Sequence, residues 1–143
     1  MTADDWAALR RQLIRHEGLR LKPYVDTVGK TTIGVGRNLT DKGISENEAI
    51  DLLRNDYVEV YHDLCAKLPW FTGLSAIRQR VLIEMGFNQG SAGLLKFTKT
   101  LASMERGDYV LAAEQMLLSR WAKQVGQRAR RLAAMMKTNE EQP

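Results

Sequence analysis

A single cysteine, Cys65, stands among 143 residues, so no disulfide can form within the chain. The fold must rest on packing, and a reducing cytosol is no obstacle to it. Histidine is almost as scarce, with two residues in all. Two histidines and one cysteine make no recognisable metal-ligand spacing, and neither a metal nor a cofactor is expected. His62 lies three residues before Cys65, but no third group is evident to orient such a pair, and a packed thiol is the plainer reading. Long apolar runs are missing too: nothing approaches the roughly 20 residues that a membrane span needs, so no stable membrane insertion is expected. The opening residues Met1-Thr2-Ala3-Asp4-Asp5 are acidic where a secretory signal carries basic ones. Finally, acidic residues are absent from 119–137, which holds Arg120, Lys123, Arg128, Arg130, Arg131 and Lys137. The bland reading of that stretch is a basic, solvated helix. The sharper one is a nucleic-acid surface.

With 44% hydrophobic and 27% charged residues, the composition is that of an ordinary globular domain long enough to bury a core. A net charge of +4 favours an anionic partner, whether nucleic acid, a membrane surface or a cell-wall polymer. Two capping boxes announce helices. Thr2-Ala3-Asp4-Asp5 starts one over residues 2–16 that should carry Trp6, Leu9 and Leu13 inward, and Ser45-Glu46-Asn47-Glu48 starts a long one that Leu68-Pro69 stops. Residues 74–87 are apolar around most of a helix circumference and predict a buried central helix, closed by Phe87-Asn88-Gln89-Gly90. Asp108 caps a further helix from Tyr109 to Ser119.

The most informative stretch is residues 17–37. Leu9, Leu13 and Glu17 fall at i, i+4 and i+8, which sets Glu17 on the apolar stripe of the first helix. A carboxyl pressed against apolar surface loses hydration of its charged form, and is a candidate general acid. Tyr24-Val25-Asp26 and Thr31-Thr32-Ile33 read as short strands around a turn centred on Gly29. Such a turn would put Asp26 directly opposite Thr32, a carboxylate beside a hydroxyl. Gly34 and Gly36 would leave one strand face bare for a bulky ligand. Two carboxyls in unlike surroundings are what glycoside hydrolysis uses.

Glu-Gly-Leu-Arg-Leu-Lys, followed by Tyr-x-Asp-Thr-x-Gly-x-x-Thr-Ile-Gly-x-Gly with the spacing Glu-x8-Asp-x5-Thr, resembles the catalytic segment of the phage-type lysozymes of glycoside hydrolase family 24. Later segments follow the family in order: Phe87-Asn88-Gln89-Gly90, residues 93–98, Ser119-Arg120-Trp121 and Arg128-Ala129-Arg130-Arg131. The resemblance implies an α+β, mostly α fold of two lobes within one domain over 1–143. A small β lobe would span 18–44, a connecting helix 45–68, and a helical lobe 1–17 with 69–143. The β lobe should be trimmed, since only Asp41-Lys42-Gly43-Ile44 separates Thr40 from the second capping box. Carried over by position, Glu17 is the proton donor, Asp26 the second carboxylate and Thr32 its partner in positioning water. Arg128 falls where the family pairs an arginine with the catalytic glutamate. Phe87, Asn88, Gln89, Thr100 and Gln115 fall at groove positions, and Arg37 and Asn38 replace a histidine and an apolar residue there as candidate substrate contacts.

The implied activity is muramidase: hydrolysis of the β-1,4 bond between N-acetylmuramic acid and N-acetylglucosamine in peptidoglycan, by single displacement with inversion, leading to host cell lysis. The expected enzyme is a monomer with no nucleic-acid partner, made in the host cytoplasm and acting on the wall from the periplasm after release. Three other readings compete. A lytic transglycosylase would need the glutamate but not the Asp-Thr pair, a basic helical nucleic-acid binder would rest on 119–137 alone, and a wall-binding module with a dead site would have no use for Glu17, Asp26 and Thr32 together.

Overall fold

A computed structural model describes residues 1–143 and divides them into two compact units, Met1–Asp51 and Leu52–Pro143. The fold is α+β and mostly α, with eight α-helices and one sheet of three antiparallel strands in the order β1-β2-β3.

The first unit begins with α1 (Ala3–Glu17). Its capping box forms in full: the Thr2 hydroxyl accepts the Asp5 N–H at 3.2 Å, and the Asp5 carboxylate accepts the Thr2 N–H at 2.6 Å. The inward stripe expected of this helix does not materialise. No residue of α1 is buried, and Trp6 and Leu13 are 57% and 44% exposed. The cause lies in the size of the sheet, since strands of six, four and two residues offer little surface to cover a helix face. Among residues 1–51 only Thr32 is buried.

The sheet is β1 (Arg20–Val25), β2 (Thr31–Gly34) and β3 (Arg37–Asn38). Gly29 takes φ +82° in the β1–β2 turn, as its position predicts. The register differs from expectation. Tyr24 pairs with Thr32 and Val25 with Thr31, and the Asp26 N–H donates to the Lys30 carbonyl at 2.9 Å, so the residue opposite Asp26 is Lys30. The loop is three residues, 27–29: a turn closed by the Gly29 N–H on the Asp26 carbonyl at 3.1 Å, then glycine in the left-handed region. A turn centred on Gly29 would have needed the pairing to slide by two residues along β2. The third strand follows Thr32↔Asn38 and Ile33↔Arg37, so Gly34 ends β2 and Gly36 lies in the β2–β3 turn, one on each side of Val35.

The boundary between the units falls inside α2 (Glu46–Lys67), whose own capping box joins Ser45 and Glu48 in both directions at 3.1 and 3.3 Å. Of its apolar residues only Val60 and Leu64 are buried. A 3-10 turn (Phe71–Gly73) leads into α3 (Ala76–Gln89), the predicted central helix, which buries Val81, Leu82, Met85 and Gly86. Then come α4 (Ser91–Leu94), α5 (Thr98–Glu105) and α6 (Tyr109–Leu118), the last capped by the Asp108 carboxylate accepting from Leu111 N–H at 3.1 Å.

Residues 119–137 are neither one helix nor simply solvated. They form α7 (Arg120–Val125) and α8 (Gln127–Thr138), broken at Gly126, and bury Trp121, Ala129, Leu132, Ala133, Met135 and Met136. The cations line the outer face while small and flexible side chains turn inward. Every buried hydrophobic residue lies in the second unit, where α6 packs on α5 and α8, and α3 on α4 and α8. No helix is long and apolar enough to cross a membrane.

Candidate active site

Glu17 is the last residue of α1, which Gly18 closes by donating its N–H to the Ile14 carbonyl at 2.9 Å. Its side chain is exposed, so the apolar burial expected of it is not provided by α1. What meets it is the β2–β3 turn. A Cβ placed on Gly36 would lie 3.1 Å from Glu17 Oε2 and 3.6 Å from the carboxyl carbon. The carboxylate therefore rests against bare backbone.

Asp26 occupies the first position of the β1–β2 turn, where aspartate is favoured because its carboxylate can close the turn from within. Oδ1 accepts the N–H of Val28 at 3.0 Å and of Lys30 at 2.8 Å. Both backbone donors fall on one oxygen, leaving Oδ2 for solvent or a ligand. Thr32 stands two residues along the partner strand. By alternation it shares a face with Tyr24, directly opposite, and with Asp26, diagonally offset by about 7–8 Å between backbones. Thr32 is 4% exposed, and its hydroxyl donates to the Lys30 carbonyl at 3.1 Å. Its oxygen keeps acceptor capacity, but the hydrogen is committed.

Asn38 continues the same row, since Tyr24, Thr32 and Asn38 are register partners across the three strands. Its side chain is occupied locally, with Nδ2 donating to Asp41 Oδ2 and Oδ1 accepting the Asp41 N–H, both at 3.0 Å. Asp41 in turn meets Lys30 Nζ at 3.2 Å. Arg37 makes a two-pronged contact with Glu48, Nη1 to Oε2 at 2.6 Å and Nη2 to Oε1 at 2.9 Å, and Nη1 also reaches the Gly43 carbonyl at 3.3 Å. That hydrogen bonding holds the Glu48 carboxyl below its ordinary value against an opposing desolvation, and raises the Arg37 guanidinium. Arg37 thus ties β3 to the first turn of α2.

The remaining candidates belong to the second unit. Arg128 Nε lies 3.8 Å from Glu84 Oε1, a loose pair with both side chains about half exposed. Phe87 is 46% exposed, and Asn88 Oδ1 accepts the indole N–H of Trp121 at 3.0 Å. Gln89 has its Nε2 buried without a hydrogen-bond partner. Thr100 is buried within α5, and Gln115 Oε1 lies 2.9 Å from the buried Ser103 hydroxyl. No three His, Cys, Asp or Glu side chains gather as metal ligands.

The first unit thus brings together Glu17, Asp26, Thr32, Arg37 and Asn38 around one small sheet. Three neighbours escaped the sequence reading. Tyr24, with the Arg20 guanidinium 4.2 Å above its ring, reads from the sequence only as a strand residue. Glu48 was seen as a helix cap and not as the partner of Arg37. Gly36 reads from the sequence as a strand glycine. Only its spacing two residues from Gly34 carried any signal of a turn.

Comparisons with known proteins bear on the chain as a whole. The Phage lysozyme family model matches residues 14–140. The chain is similar to the pre-baseplate central spike protein Gp5 of Enterobacteria phage T4, at 30% identity with 92% of the chain aligned, although it spans only 28% of that protein's length. It is also similar to the probable T4-type lysozyme 2 of Dictyostelium discoideum, at 25% identity over 92% of the chain and 95% of the relative. The two alignments run to 159 and 162 positions against a chain of 143, so gaps open in this chain against both. The family match covers both the carboxylate-bearing hairpin and the helical core, and the chain belongs to the phage lysozyme family of glycoside hydrolases.

Proposed function

We propose that this lysozyme-type chain cleaves the β-1,4 bond from N-acetylmuramic acid to N-acetylglucosamine in peptidoglycan by a single displacement that inverts the anomeric centre. Glu17 donates a proton to the departing glycosidic oxygen. One water attacks the anomeric carbon from the opposite face, and its proton passes to Asp26 Oδ2. Asp26 is suited to that work because its other oxygen is tethered by two N–H groups, so the free oxygen has a fixed direction. Thr32 contributes the acceptor side of a hydroxyl whose hydrogen is already given to Lys30. The observation that carries the proposal is the placing of both carboxylates in one compact unit, Glu17 against the β2–β3 turn and Asp26 within the β1–β2 turn of the same sheet.

Arg37 and Asn38 are retained as candidate sugar contacts, with Glu48 and Asp41 as the groups that hold them. Arg128, Phe87, Asn88, Gln89, Thr100 and Gln115 keep the supporting and groove roles that the family resemblance nominates. The same proposal takes 1–143 as one lysozyme domain and a monomer, made in the host cytoplasm and lysing the host by acting on its wall in the periplasm.

The test is product analysis on purified peptidoglycan. Muramidase action releases saccharides ending in reducing N-acetylmuramic acid, and Glu17→Gln releases none. An anhydro end would replace this reading with a transglycosylase. No product at all, combined with a salt-sensitive shift of DNA, would favour the nucleic-acid reading, since binding to phosphates weakens steeply as salt rises.

A further inference from the structure

The contact between Glu17 and Gly36 has a meaning beyond the turn that contains it. Gly36 and Gly34 flank the same tight connection, with φ +67° and +70°, and each would be strained by a side chain. They differ in one respect. The Cβ direction of Gly34 meets nothing within 4 Å, whereas that of Gly36 runs into the Glu17 carboxylate, with Oε2 at 3.1 Å and Cβ of Glu17 at 3.7 Å. Backbone conformation therefore accounts for a glycine at 34. At 36 it accounts for only part.

We infer that Gly36 is a positioning residue for the reaction, leaving the space in which the Glu17 carboxyl is held and thereby fixing where its proton is delivered. The inference rests on the muramidase reading of Glu17. Glu17 is the last residue of α1 and has an exposed side chain, so α1 alone does not fix its orientation. The β2–β3 turn supplies a surface on one side. A methyl there would push the carboxyl aside by several tenths of an ångström and strip water from Oε2. Displacement of a general acid costs turnover rather than binding, because proton delivery is made only in the transition state.

The experiment compares Gly36→Ala with Gly34→Ala, each in the whole chain. Both glycines take similar positive φ, so Gly34→Ala reports the backbone cost without the contact. We expect Gly36→Ala to lose about ten- to a hundredfold in kcat on a soluble peptidoglycan fragment with KM little changed. Gly34→Ala should keep its kcat. Equal kcat losses in the two, or a loss in Gly36→Ala that falls on KM instead of kcat, would overturn the inference. A second arm needs no activity. Gly36→Ala should melt below Gly34→Ala, and Glu17→Ala should erase that difference by vacating the space. A difference that persists in the Glu17→Ala background would overturn the contact itself. If Glu17→Gln proved fully active, the reading of Glu17 as the acid would fall while the melting arm still reported on the contact.

Discussion

Gly86→Ala sets two well-characterised effects against each other. Gly86 lies in the interior of α3, where alanine is favoured over glycine by about 1 kcal/mol. Against this, a Cβ at Gly86 would stand 2.6 Å from Val60 Cγ1 and 3.6 Å from Leu94 Cδ2. Val60 is 7% exposed on α2, and its branched side chain has few alternative rotamers with which to retreat. Overpacking of this kind costs about 1–3 kcal/mol, so set against the propensity gain the net loss is about 0–2 kcal/mol, centred on about 1 kcal/mol. At about 2–4 °C per kcal/mol for a chain of this size, Tm should fall by a few degrees in a circular-dichroism melt. Val60→Ala removes Cγ1 and on its own should cost about 1.5 kcal/mol from two lost methyl groups. The double variant should cost clearly less than the sum of the singles, since one substitution makes the room the other fills. A raised Tm in Gly86→Ala, or simple additivity, would refute close packing of α2 on α3 at the base of the Phe87-Asn88-Gln89 segment.

Two further outcomes follow from the hairpin and from β3. Asp26→Asn keeps an oxygen for the Val28 and Lys30 N–H groups and should melt near wild type while losing most hydrolysis, whereas Asp26→Ala should lose about 1–2 kcal/mol as well; equal melting of the two would deny the turn-capping role. Glu48 is depressed in the folded state by Arg37, so its contribution is present above the unfolded carboxyl value and is lost as pH falls through the folded one. Glu48→Gln should therefore narrow the gap in Tm between neutral pH and about pH 3, and an unchanged gap would show that the Arg37 contact carries no linkage.

Capping boxes, the central helix and the turn glycine were legible because each is written within a few neighbouring residues. The Asp26–Thr32 register is not legible for a local reason: the glycine marks the end of the three-residue loop and not its centre, and centring the turn on Val28 moves the partner of Asp26 from Thr32 to Lys30, two residues along β2. The Arg37–Glu48 contact joins residues 11 apart on different elements, which spacing alone does not reveal. The exposure of α1 was hidden because periodicity shows that a stripe exists and not whether anything covers it. In 119–137 the lack of acids drew notice to the cations, while Trp121, Leu132 and Met136 carried the packing. Glu17 and Asp26 were found because their order and spacing are sequence properties. Gly36 beside Glu17 was not, because it depends on where the β2–β3 turn comes to rest.

The central claim is that Asp26 directs a water at the sugar instead of attacking it. Proton NMR of the first-formed reducing end, recorded on a β-linked peptidoglycan fragment before mutarotation, tests it most directly. Inversion predicts the α-anomer as the initial product, decaying toward the equilibrium mixture, with no product from Glu17→Gln. An initial β-anomer would mean two displacements through a covalent Asp26 intermediate, and would contradict the account.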